Sequence, residues 1–288
     1  MPRELTLDAP AKLNLTLDIL GRRTDGYHDL KTVMTSIDLC DTVTVRLNRR
    51  GTITVQAGPD LPAGEDNLAG RAARLFLEES GALEGADIVI QKRIPAQAGM
   101  AGGSSDAAAV LRAMRRLLCP AMPAKVLEAL GAHIGSDVPY CVRGGTALAE
   151  GRGERLTDWP ALPPCWIAVC KPDFDLPTPA LFGRVRVEAL KKHPDHAAMY
   201  EALSDGDLPA VAAGLRDVFE EVLTPEESAV AGIKAVLLEE GALGAAMTGS
   251  GPTVFGLFDR EMPARTAADR LKREYRQTFL ARPRKKME

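Results

Sequence analysis

The sequence predicts an α+β protein of two medium-sized domains, and three observations support this. The chain has 288 residues, which is longer than a typical single domain and short for three. Alternating, strand-like patterns gather in the first half, whereas helical periodicity dominates after Pro177. A few strands occur in each half without regular βαβ alternation. Prolines cluster at Leu156–Pro164, so we expect an N-terminal domain over 1–158 and a C-terminal domain over 159–288.

The elements expected in the first half follow from local patterns. Residues 4–20 alternate as a half-buried strand pair would, with a break at Pro10. The Thr- and Val-rich segments 41–47 and 51–58 suit a hairpin across Asn48–Gly51. Asn67 can cap a helix. Further along, we expect a strand at 86–94, helices from about Ser105 and over 123–135, and strands at 145–156.

The second half is expected to be mainly helical. A strand is predicted at 165–172, and a glycine-rich turn with an apolar strand at 241–258. The predicted helices cover Thr178–Leu190, Asp195–Leu203, Leu208–Val218, Pro225–Glu240 and Ala264–Arg276.

Composition argues against several classes of protein. The balance of 36 basic and 39 acidic residues disfavours a nucleic-acid surface, and the basic tail Arg282–Lys286 is expected to be solvated. Five cysteines without a Cys-x-x-Cys pair argue against a disulfide framework or a zinc site, and favour a reducing, cytoplasmic compartment. Neither a signal peptide nor an apolar run of about 18 residues is present, so no membrane contact is expected.

A glycine- and serine-rich segment precedes the helix expected from about Ser105. It reads PAQAGMAGGSSDAAAVLRAM and covers residues 95–114. Backbone N–H groups in such a turn can approach phosphate closely, and a helix start adds free N–H groups and the positive end of the helix dipole. The Gly-Lys-Ser/Thr of a P-loop is absent. The residues alone therefore leave two interpretations open, a phosphate cradle and a tight strand-to-helix turn.

Two other polar groups carry candidate chemistry. Lys12 and Asn14 are two residues apart on a predicted strand and so share a face. The loop after that strand offers Tyr27 and His28, which suit a planar ligand, although a plain hairpin turn is the alternative. Asp137 lies in a predicted loop and is either a turn residue or a catalytic base.

Taken together, these segments resemble the GHMP kinase superfamily, and most closely its isoprenoid-pathway branch. The resemblance runs from about Ala9 to Phe258, with five motifs in the family's order. It implies two α+β domains with the active site between them, the first similar to ribosomal protein S5 domain 2 and the second ferredoxin-like. The matching segments are PAKLNLTLDILGRRTDGYHDL, AGMAGGSSDAA, GSDVPYCVRGGTALAEGRGE, PTPALF and MTGSGPTVF.

The resemblance also implies an activity and a set of site residues. We expect ATP- and Mg²⁺-dependent phosphorylation of the 2-hydroxyl of a cytidine-diphosphate-linked methylerythritol, by a monomer or homodimer. Asp137 is implied as the base and Lys12 as the group that orients the hydroxyl and stabilises charge, with no metal ligand assigned. The implied substrate-side residues are Asn14, Tyr27, His28, Thr178 and Phe182, and those toward ATP are Asn67, Lys92, Gly99, Met100, Ala101, Gly102, Gly103, Ser104 and Ser105.

One departure concerns the phosphate loop. The family pattern has more glycine where this chain carries Gln97, Ala98 and Ala101. Alanine suits a cradle there if the backbone keeps φ negative.

Two alternatives remain open from sequence. One is a GHMP member acting on mevalonate, homoserine or a sugar, or a related decarboxylase, which the loop GRRTDGYH disfavours. The other is a nucleotide- or RNA-binding module without catalysis, which the slight acidity and the pair Lys12 and Asp137 disfavour.

Overall fold

Two β-sheets, each carrying helices, form the fold. The computed structural model describes residues 3–58 and 64–286. Within these residues the first sheet has seven strands and the second has four. This is the α+β architecture expected from sequence.

The elements are numbered along the chain. The strands are β1 (Glu4–Arg22), β2 (His28–Asn48), β3 (Ile53–Gln56), β4 (Gly85–Gln91), β5 (Thr146–Gly151), β6 (Arg155–Asp158), β7 (Trp166–Lys171), β8 (Arg216–Asp217), β9 (Gly244–Met247), β10 (Val254–Phe258) and β11 (Gln277–Ala281). The helices are α1 (Leu68–Ser80), α2 (Gly102–Leu118), α3 (Ala124–Ile134), α4 (Val138–Arg143), α5 (Thr178–Arg184), α6 (His196–Asp205), α7 (Leu208–Ala213), α8 (Ala229–Glu239) and α9 (Glu261–Lys272).

The long antiparallel pair β1–β2 is the centre of the first sheet. The strand order is β3-β4-β2-β1-β8, and β5 continues from the other end of β2 to β6. The short strand β8 comes from the second half of the chain and pairs in parallel with β1 at Thr16 and Leu17. The first sheet therefore includes both halves, and the boundary between residues 158 and 159 stays a prediction.

The hairpin predicted across Asn48–Gly51 is wrong. β3 pairs in parallel with β4, and β4 lies between β3 and β2. The crossover through α1 permits this parallel pairing. Alternation identified both segments as strands, but it carries no information about which strand lies beside which.

The break predicted at Pro10 is also wrong. β1 continues through Pro10, and its register with β2 shifts between Pro10 and Lys12 as a β-bulge. Proline lacks an N–H group and is tolerated in a strand at such a bulge.

Helix positions were predicted better than helix ends. α2 begins at Gly102 rather than near Ser105, and the helix expected over Thr178–Leu190 ends at Arg184. The helix expected over Leu208–Val218 ends at Ala213, and the one expected over Pro225–Glu240 begins as a separate turn at Pro225–Glu227. Short 3₁₀ turns follow or precede these helices, and their apolar spacing resembles that of an α-helix. The final strand β11 was not predicted.

The second sheet has the order β11-β7-β10-β9, and all of its neighbouring strands are antiparallel. Helices separate β7 from β9, and α9 separates β10 from β11. This is the βαββαβ connection of a ferredoxin-like unit, so the fold expected for the second half is confirmed.

Both faces of the central pair β1–β2 are buried. One face contributes Ala9, Val43 and Val45 to a core with α1–α4. Leu13 and Leu15 belong instead to a core shared with β7 and β10 of the second sheet. The residues between Ala9 and Ile19 are all buried for this reason.

The tail that was expected to be solvated is docked. Pro283 forms a bridge with Ile37 of β2, and the Arg282 guanidinium lies 4.3 Å from the centre of the Trp166 ring. Arg284 forms an ion pair with Asp8. The basic residues Arg282 and Arg284 of the tail thus bind the protein's own surface.

None of the helices within residues 3–58 and 64–286 is both long enough and apolar enough to cross a membrane.

We expect Tyr140→Phe to destabilise the fold. The Tyr140 hydroxyl donates to the Gly145 carbonyl at 2.7 Å and lies 3.0 Å from the Ser36 hydroxyl, in a side chain that is 1% exposed. Its loss removes one of two donors to the Gly145 carbonyl, which still accepts from the Ser36 N–H, and takes from the buried Ser36 hydroxyl its Tyr140 partner, which costs about 1–3 kcal/mol. Thermal unfolding followed by circular dichroism checks this. Tyr200→Phe, at a ring that is 46% exposed, is the control, and an equal melting temperature for the two variants would contradict the assignment.

Candidate active site

A cleft of about 1580 Å³ lies beside the end of β1, the start of α2, the start of α4 and helix α5. Residues from both halves of the chain line it. The site residues named from sequence all line this cleft except Ser105.

Lys12 lies at the register shift between β1 and β2, and hydrogen bonds hold it in the cleft. Its backbone N–H donates to the Met100 carbonyl at 3.1 Å, and its ammonium group donates to Asn14 Oδ1. The Asn14 amide in turn donates to the Thr32 hydroxyl at 2.7 Å. Lys12 and Asn14 are 4% and 2% exposed, so the lysine is a buried and oriented cation rather than a solvated one.

The glycine-rich segment forms an open turn into α2. Within the described residues no side chain caps this helix start, so its first N–H groups remain available to a ligand. Ala98 and Met100 are 2% and 1% exposed and anchor the turn in the core shared by the two sheets. A backbone cradle fixed from behind and open in front suits an anion such as phosphate.

Two of the three non-glycine positions noted from sequence, Gln97 and Ala101 but not Ala98, have positive φ. Gln97 and Ala101 have φ values of 50° and 56°, the left-handed region that glycine adopts most easily. The negative φ that the sequence analysis required for a cradle is therefore absent at these two residues. The turn keeps its glycine-like path at the cost of local backbone strain at two residues.

A second glycine turn, Thr248–Gly251, packs against the first one. A side chain on Gly99 would overlap the Thr248 carbonyl, and one on Gly251 would overlap the Gly99 amide. A side chain on Gly249 would come within 2.9 Å of Lys12 Nζ. Glycines at these three positions allow the two turns and the lysine to meet.

Asp137 lies at the N-terminus of α4, where its side chain makes no capping hydrogen bond among the described residues. Close packing fixes this position, because a side chain on Gly131 of α3 would approach Val138 Cγ1 to 2.9 Å. Burial raises the pKa of the neighbouring Cys141 thiol, the Asp137 charge raises it further, and Lys12 opposes the shift. Asp137 and Lys12 are therefore both within electrostatic reach of the same buried thiol.

Aromatic side chains form the other end of the cleft. The His28 ring stacks on the Phe182 ring with centroids 5.1 Å apart, and Phe182 meets Phe219 edge-on at 4.9 Å. Arg152 lies over the Tyr27 ring at 4.9 Å. Burial lowers the pKa of His28, with a contribution from Arg22, which favours the neutral imidazole that can both donate and accept.

Thr178, the remaining substrate-side residue, reaches across to the second glycine turn. Its hydroxyl lies 2.7 Å from the Ser250 hydroxyl. Helix α5 is thereby linked to the turn that contacts Lys12.

Lys92 lies beside the start of α2 and is shared by two carboxylates. Its ammonium group pairs with Asp41 and with Asp106, the latter at 2.7 Å, and lies 3.3 Å from the position of a Cβ on Gly102. Burial raises the pKa of Asp106 to about 7, against the opposing effect of Lys92. Asn67, the other residue expected near adenosine, caps α1 by accepting from the Ala69 N–H at 3.0 Å.

Ser105 is not brought into the cleft. Its side chain is fully buried, and its hydroxyl donates to the Pro10 carbonyl at 2.7 Å. The hydroxyl therefore clamps α2 onto the bulge of β1. Helix α2 begins three residues earlier than expected, which places Ser105 inside the helix rather than at its open end.

Sequence reasoning missed several polar residues at the site. Asp41 binds Lys92, Thr248 accepts from the Asn14 N–H at 2.8 Å, and Asp217 accepts from the Gly249 N–H at 2.7 Å. Arg152 stood in a quoted motif but received no role. The distances in sequence between these partners exceed any local pattern, so only the fold reveals them.

Among the residues that the structure describes, no group of three or more His, Cys, Asp or Glu side chains could hold a metal ion. One carboxylate oxygen of a residue that lines the cleft, Asp106 Oδ1, is buried without a hydrogen-bond partner. A single carboxylate suits a Mg²⁺ ion that takes its other ligands from phosphates and water.

The chain matches two family models. The model described as "GHMP kinases N terminal domain" matches residues 67–145, and that described as "GHMP kinases C terminal" matches residues 199–277.

Curated relatives cover nearly the whole chain. The chain is 40% identical over 274 residues to the 4-diphosphocytidyl-2-C-methyl-D-erythritol kinase of Clostridium botulinum (strain Kyoto / Type A2), covering 95% of this chain and 98% of the relative. It is 41% identical over 281 residues to the enzyme of that name from Syntrophomonas wolfei, covering 97% of this chain and 98% of the relative.

Solved structures agree with these relatives. The crystal structure of a 4-(cytidine 5'-diphospho)-2C-methyl-D-erythritol kinase superposes with a TM-score of 0.83 at 34% identity, over 97% of this chain and 99% of that one. A homoserine kinase from Cytophaga hutchinsonii gives a TM-score of 0.77 at 18% identity, over 100% of this chain and 96% of that one. The second similarity shows the shared fold alone.

We expect Gly251→Ala to weaken binding of an ATP analogue. The added methyl group overlaps Gly99 N and Ala98 C, so the two turns must separate, and overpacking of about 1–3 kcal/mol lowers affinity roughly tenfold. Isothermal titration calorimetry measures the affinity. Gly232→Ala in α8 is the matched control, because its methyl group meets nothing within 4 Å. Equal affinities for the two variants would show that contact between the turns does not matter for the nucleotide.

Proposed function

The chain belongs to the 4-diphosphocytidyl-2-C-methyl-D-erythritol kinase family of the GHMP kinases, and from this we propose that it phosphorylates the 2-hydroxyl of that cytidine-linked polyol in isoprenoid precursor synthesis, with ATP as donor. The chain is a small-molecule kinase, as its relatives of about 40% identity over most of its length are. One observation within the molecule carries the proposal. The buried Lys12, the carboxylate of Asp137, which makes no capping hydrogen bond, and the open backbone cradle all line the same cleft.

The donor end of the cleft is proposed to be the glycine cradle. The ATP phosphates would accept from the free N–H groups at the start of α2 and from the turn Gly99–Ser104, of which Gly103 is exposed. Asn67 and Lys92, on the same side, would lie toward the nucleoside. The loop would then need no lysine of its own, because Lys12 on β1 and Lys92 directly after β4 would supply the positive charge.

Asp137 and Lys12 are proposed to act on the acceptor hydroxyl. The Asp137 carboxylate, free of a capping bond, would accept the hydroxyl proton as the oxygen attacks phosphorus. Lys12 would orient the hydroxyl and stabilise negative charge that develops during transfer. Asn14 holds the Lys12 ammonium group in place, so the cation is oriented before the substrate arrives.

The cytidine of the acceptor is proposed to bind at the aromatic end. Tyr27 and the stacked pair His28 and Phe182 offer π-faces for a pyrimidine ring. The neutral His28 imidazole adds one donor and one acceptor. Thr178 would complete this side of the pocket.

Mg²⁺ is proposed to accompany the nucleotide. When bound, it would neutralise charge on the phosphates during transfer. Asp106 is the residue that would hold it, through the buried Oδ1 that lacks a partner.

A cytoplasmic location is proposed on the state of the cysteines. Cys40, Cys119, Cys141, Cys165 and Cys170 are all free thiols. Unpaired thiols are typical of reducing compartments.

A panel of acceptors tests the proposed activity. Purified protein is incubated with ATP and Mg²⁺ and with 4-diphosphocytidyl-2-C-methyl-D-erythritol, mevalonate or homoserine, while ADP release is recorded. We expect turnover with the cytidyl substrate alone. Turnover with another alcohol, or ADP release without any acceptor, would reject the assignment of substrate.

We expect Asp137→Asn to remove nearly all turnover while leaving the fold intact. An amide cannot accept the hydroxyl proton, and loss of a general base lowers kcat by about 10²–10⁴-fold. Binding of an ATP analogue is expected to persist, because the cradle is built from backbone. Asp207→Asn is the control, since Asp207 only caps α7 and asparagine caps equally well. Normal kcat in Asp137→Asn would rule out the assigned base.

We expect the double variant Tyr27→Ala, His28→Ala to weaken the cytidyl substrate more than ATP. Loss of two stacking partners raises the KM of the acceptor roughly tenfold. Steady-state kinetics with each substrate varied in turn measure both KM values. Tyr200→Ala removes a half-exposed aromatic ring outside the cleft and serves as the comparison. Equal changes in the two KM values would contradict the proposed cytidine pocket.

A further inference from the structure

We infer that Asp217 is a positioning residue for the proposed transfer, and that this one buried carboxylate sets the position of Lys12 by holding the Gly249 turn against it. The inference rests on the proposed kinase function, in which Lys12 acts on the acceptor hydroxyl. Asp217 itself is not among the residues lining the cleft.

Asp217 is buried and fully engaged by backbone donors. It is 1% exposed, at the end of the short strand β8 that pairs with β1. Its Oδ2 accepts from the Gly249 N–H at 2.7 Å, and its Oδ1 accepts from the Phe219 N–H at 3.0 Å. One side chain thus joins the end of β8, the segment after it and the turn Thr248–Gly251.

The first of these bonds leads to Lys12. Gly249 lies so close to the lysine that an added Cβ would be 2.9 Å from Nζ and 3.0 Å from Asn14 Oδ1. The neighbouring Thr248 hydroxyl accepts from the Asn14 N–H at 2.8 Å and donates to Asn14 Oδ1 at 3.3 Å. A displacement of the turn therefore moves both the lysine and the amide that orients it.

The second bond leads to the acceptor end of the cleft. Phe219, whose N–H group Asp217 holds, meets Phe182 edge-on at 4.9 Å, and Phe182 stacks on His28. The same carboxylate therefore fixes the turn beside the reacting cation and the base of the aromatic stack. A fixed distance between these two ends is what places the acceptor hydroxyl relative to Lys12.

The electrostatic setting supports this role. Burial raises the pKa of Asp217 well above its usual range, with Glu220 adding to the shift, whereas the two N–H donors and Lys12 oppose it. Burying this carboxyl group costs free energy, and its two N–H donors and the Lys12 charge offset part of that cost. The Glu220 carboxylate accepts from the Met247 N–H at 2.8 Å and pairs with Lys234, so it is committed to the end of β9, directly before the turn.

Asp217→Asn is the informative substitution. It keeps the volume of the side chain, but one amide oxygen replaces two acceptors and an NH₂ group then faces a backbone N–H. We expect kcat to fall by roughly 10²-fold through misplacement of Lys12, and the KM for ATP to change less than kcat, because Asp217 reaches the cradle only through the second glycine turn. Asp195→Asn is the matched control, since Asp195 also accepts from two backbone N–H groups, at the start of α6.

A non-additive effect of the Asp217 and Lys12 substitutions on kcat distinguishes a positioning role of Asp217 from a general loss of stability. In a Lys12→Met background, where no cation remains to be positioned, we expect Asp217→Asn to change kcat by less than about twofold. Long incubations with radiolabelled ATP give these low rates, and thermal unfolding shows that each variant is folded at the assay temperature. The inference is overturned if the losses of kcat caused by Lys12→Met and by Asp217→Asn multiply in the double variant. It is also overturned if folded Asp217→Asn keeps kcat within about twofold of the wild type.

Gly249→Ala tests the same contact if Asp217→Asn does not fold. The added methyl group pushes on Lys12 Nζ directly, so kcat is expected to fall in the wild-type background and to stay unchanged in Lys12→Met. An unchanged kcat in the wild-type background overturns the inference. Failure of the proposed function has a different signature, because the wild-type protein would then leave the cytidyl substrate unphosphorylated in every assay.

Discussion

The close approach of two glycine turns above the bulge of β1 is the constraint on which the site depends. Gly99 and Gly251 bring two stretches of backbone into contact that any side chain would separate. Beneath them, the Lys12 N–H and the Pro10 carbonyl at the bulge bind Met100 and Ser105 of the phosphate segment. The cradle, the buried cation and the turn from the second half are thus held to one another mainly by main-chain contacts, which leave little freedom for rearrangement.

Buried charges around this junction are each compensated by specific partners. Lys12 is oriented by Asn14, Lys92 is shared by Asp41 and Asp106, and Asp217 is surrounded by backbone donors. Removing charged side chains from water costs free energy. Buried charged groups are therefore found where they interact with a ligand or with one another. Fixed charges in a partly dry cleft stabilise developing charge without reorganising, which is what phosphoryl transfer demands of a protein.

Both halves of the chain line the cleft, and they are joined at β1. The first half supplies the cradle, Lys12 and Asp137, whereas α5 and the turn Thr248–Gly251 come from the second half. Strand β8 pairs with β1, and a shared core packs β1 against the second sheet. Acceptor and donor would therefore meet where both halves contact one strand, which explains why the motifs lie so far apart in sequence.

The sequence by itself determined the type of most elements and identified some of the residues that line the cleft. Alternation placed Lys12 and Asn14 on one face of a strand, and the glycines ahead of α2 marked an open turn, because both features depend on neighbours within a few residues. The tertiary structure alone decided that β4 separates β3 from β2, that Ser105 clamps Pro10, and that Asp41 and Asp217 serve Lys92 and Gly249. Those outcomes depend on which surfaces, distant in sequence, pack against each other. The spacing of apolar residues indicates only that one face of an element is buried, and not which element covers it.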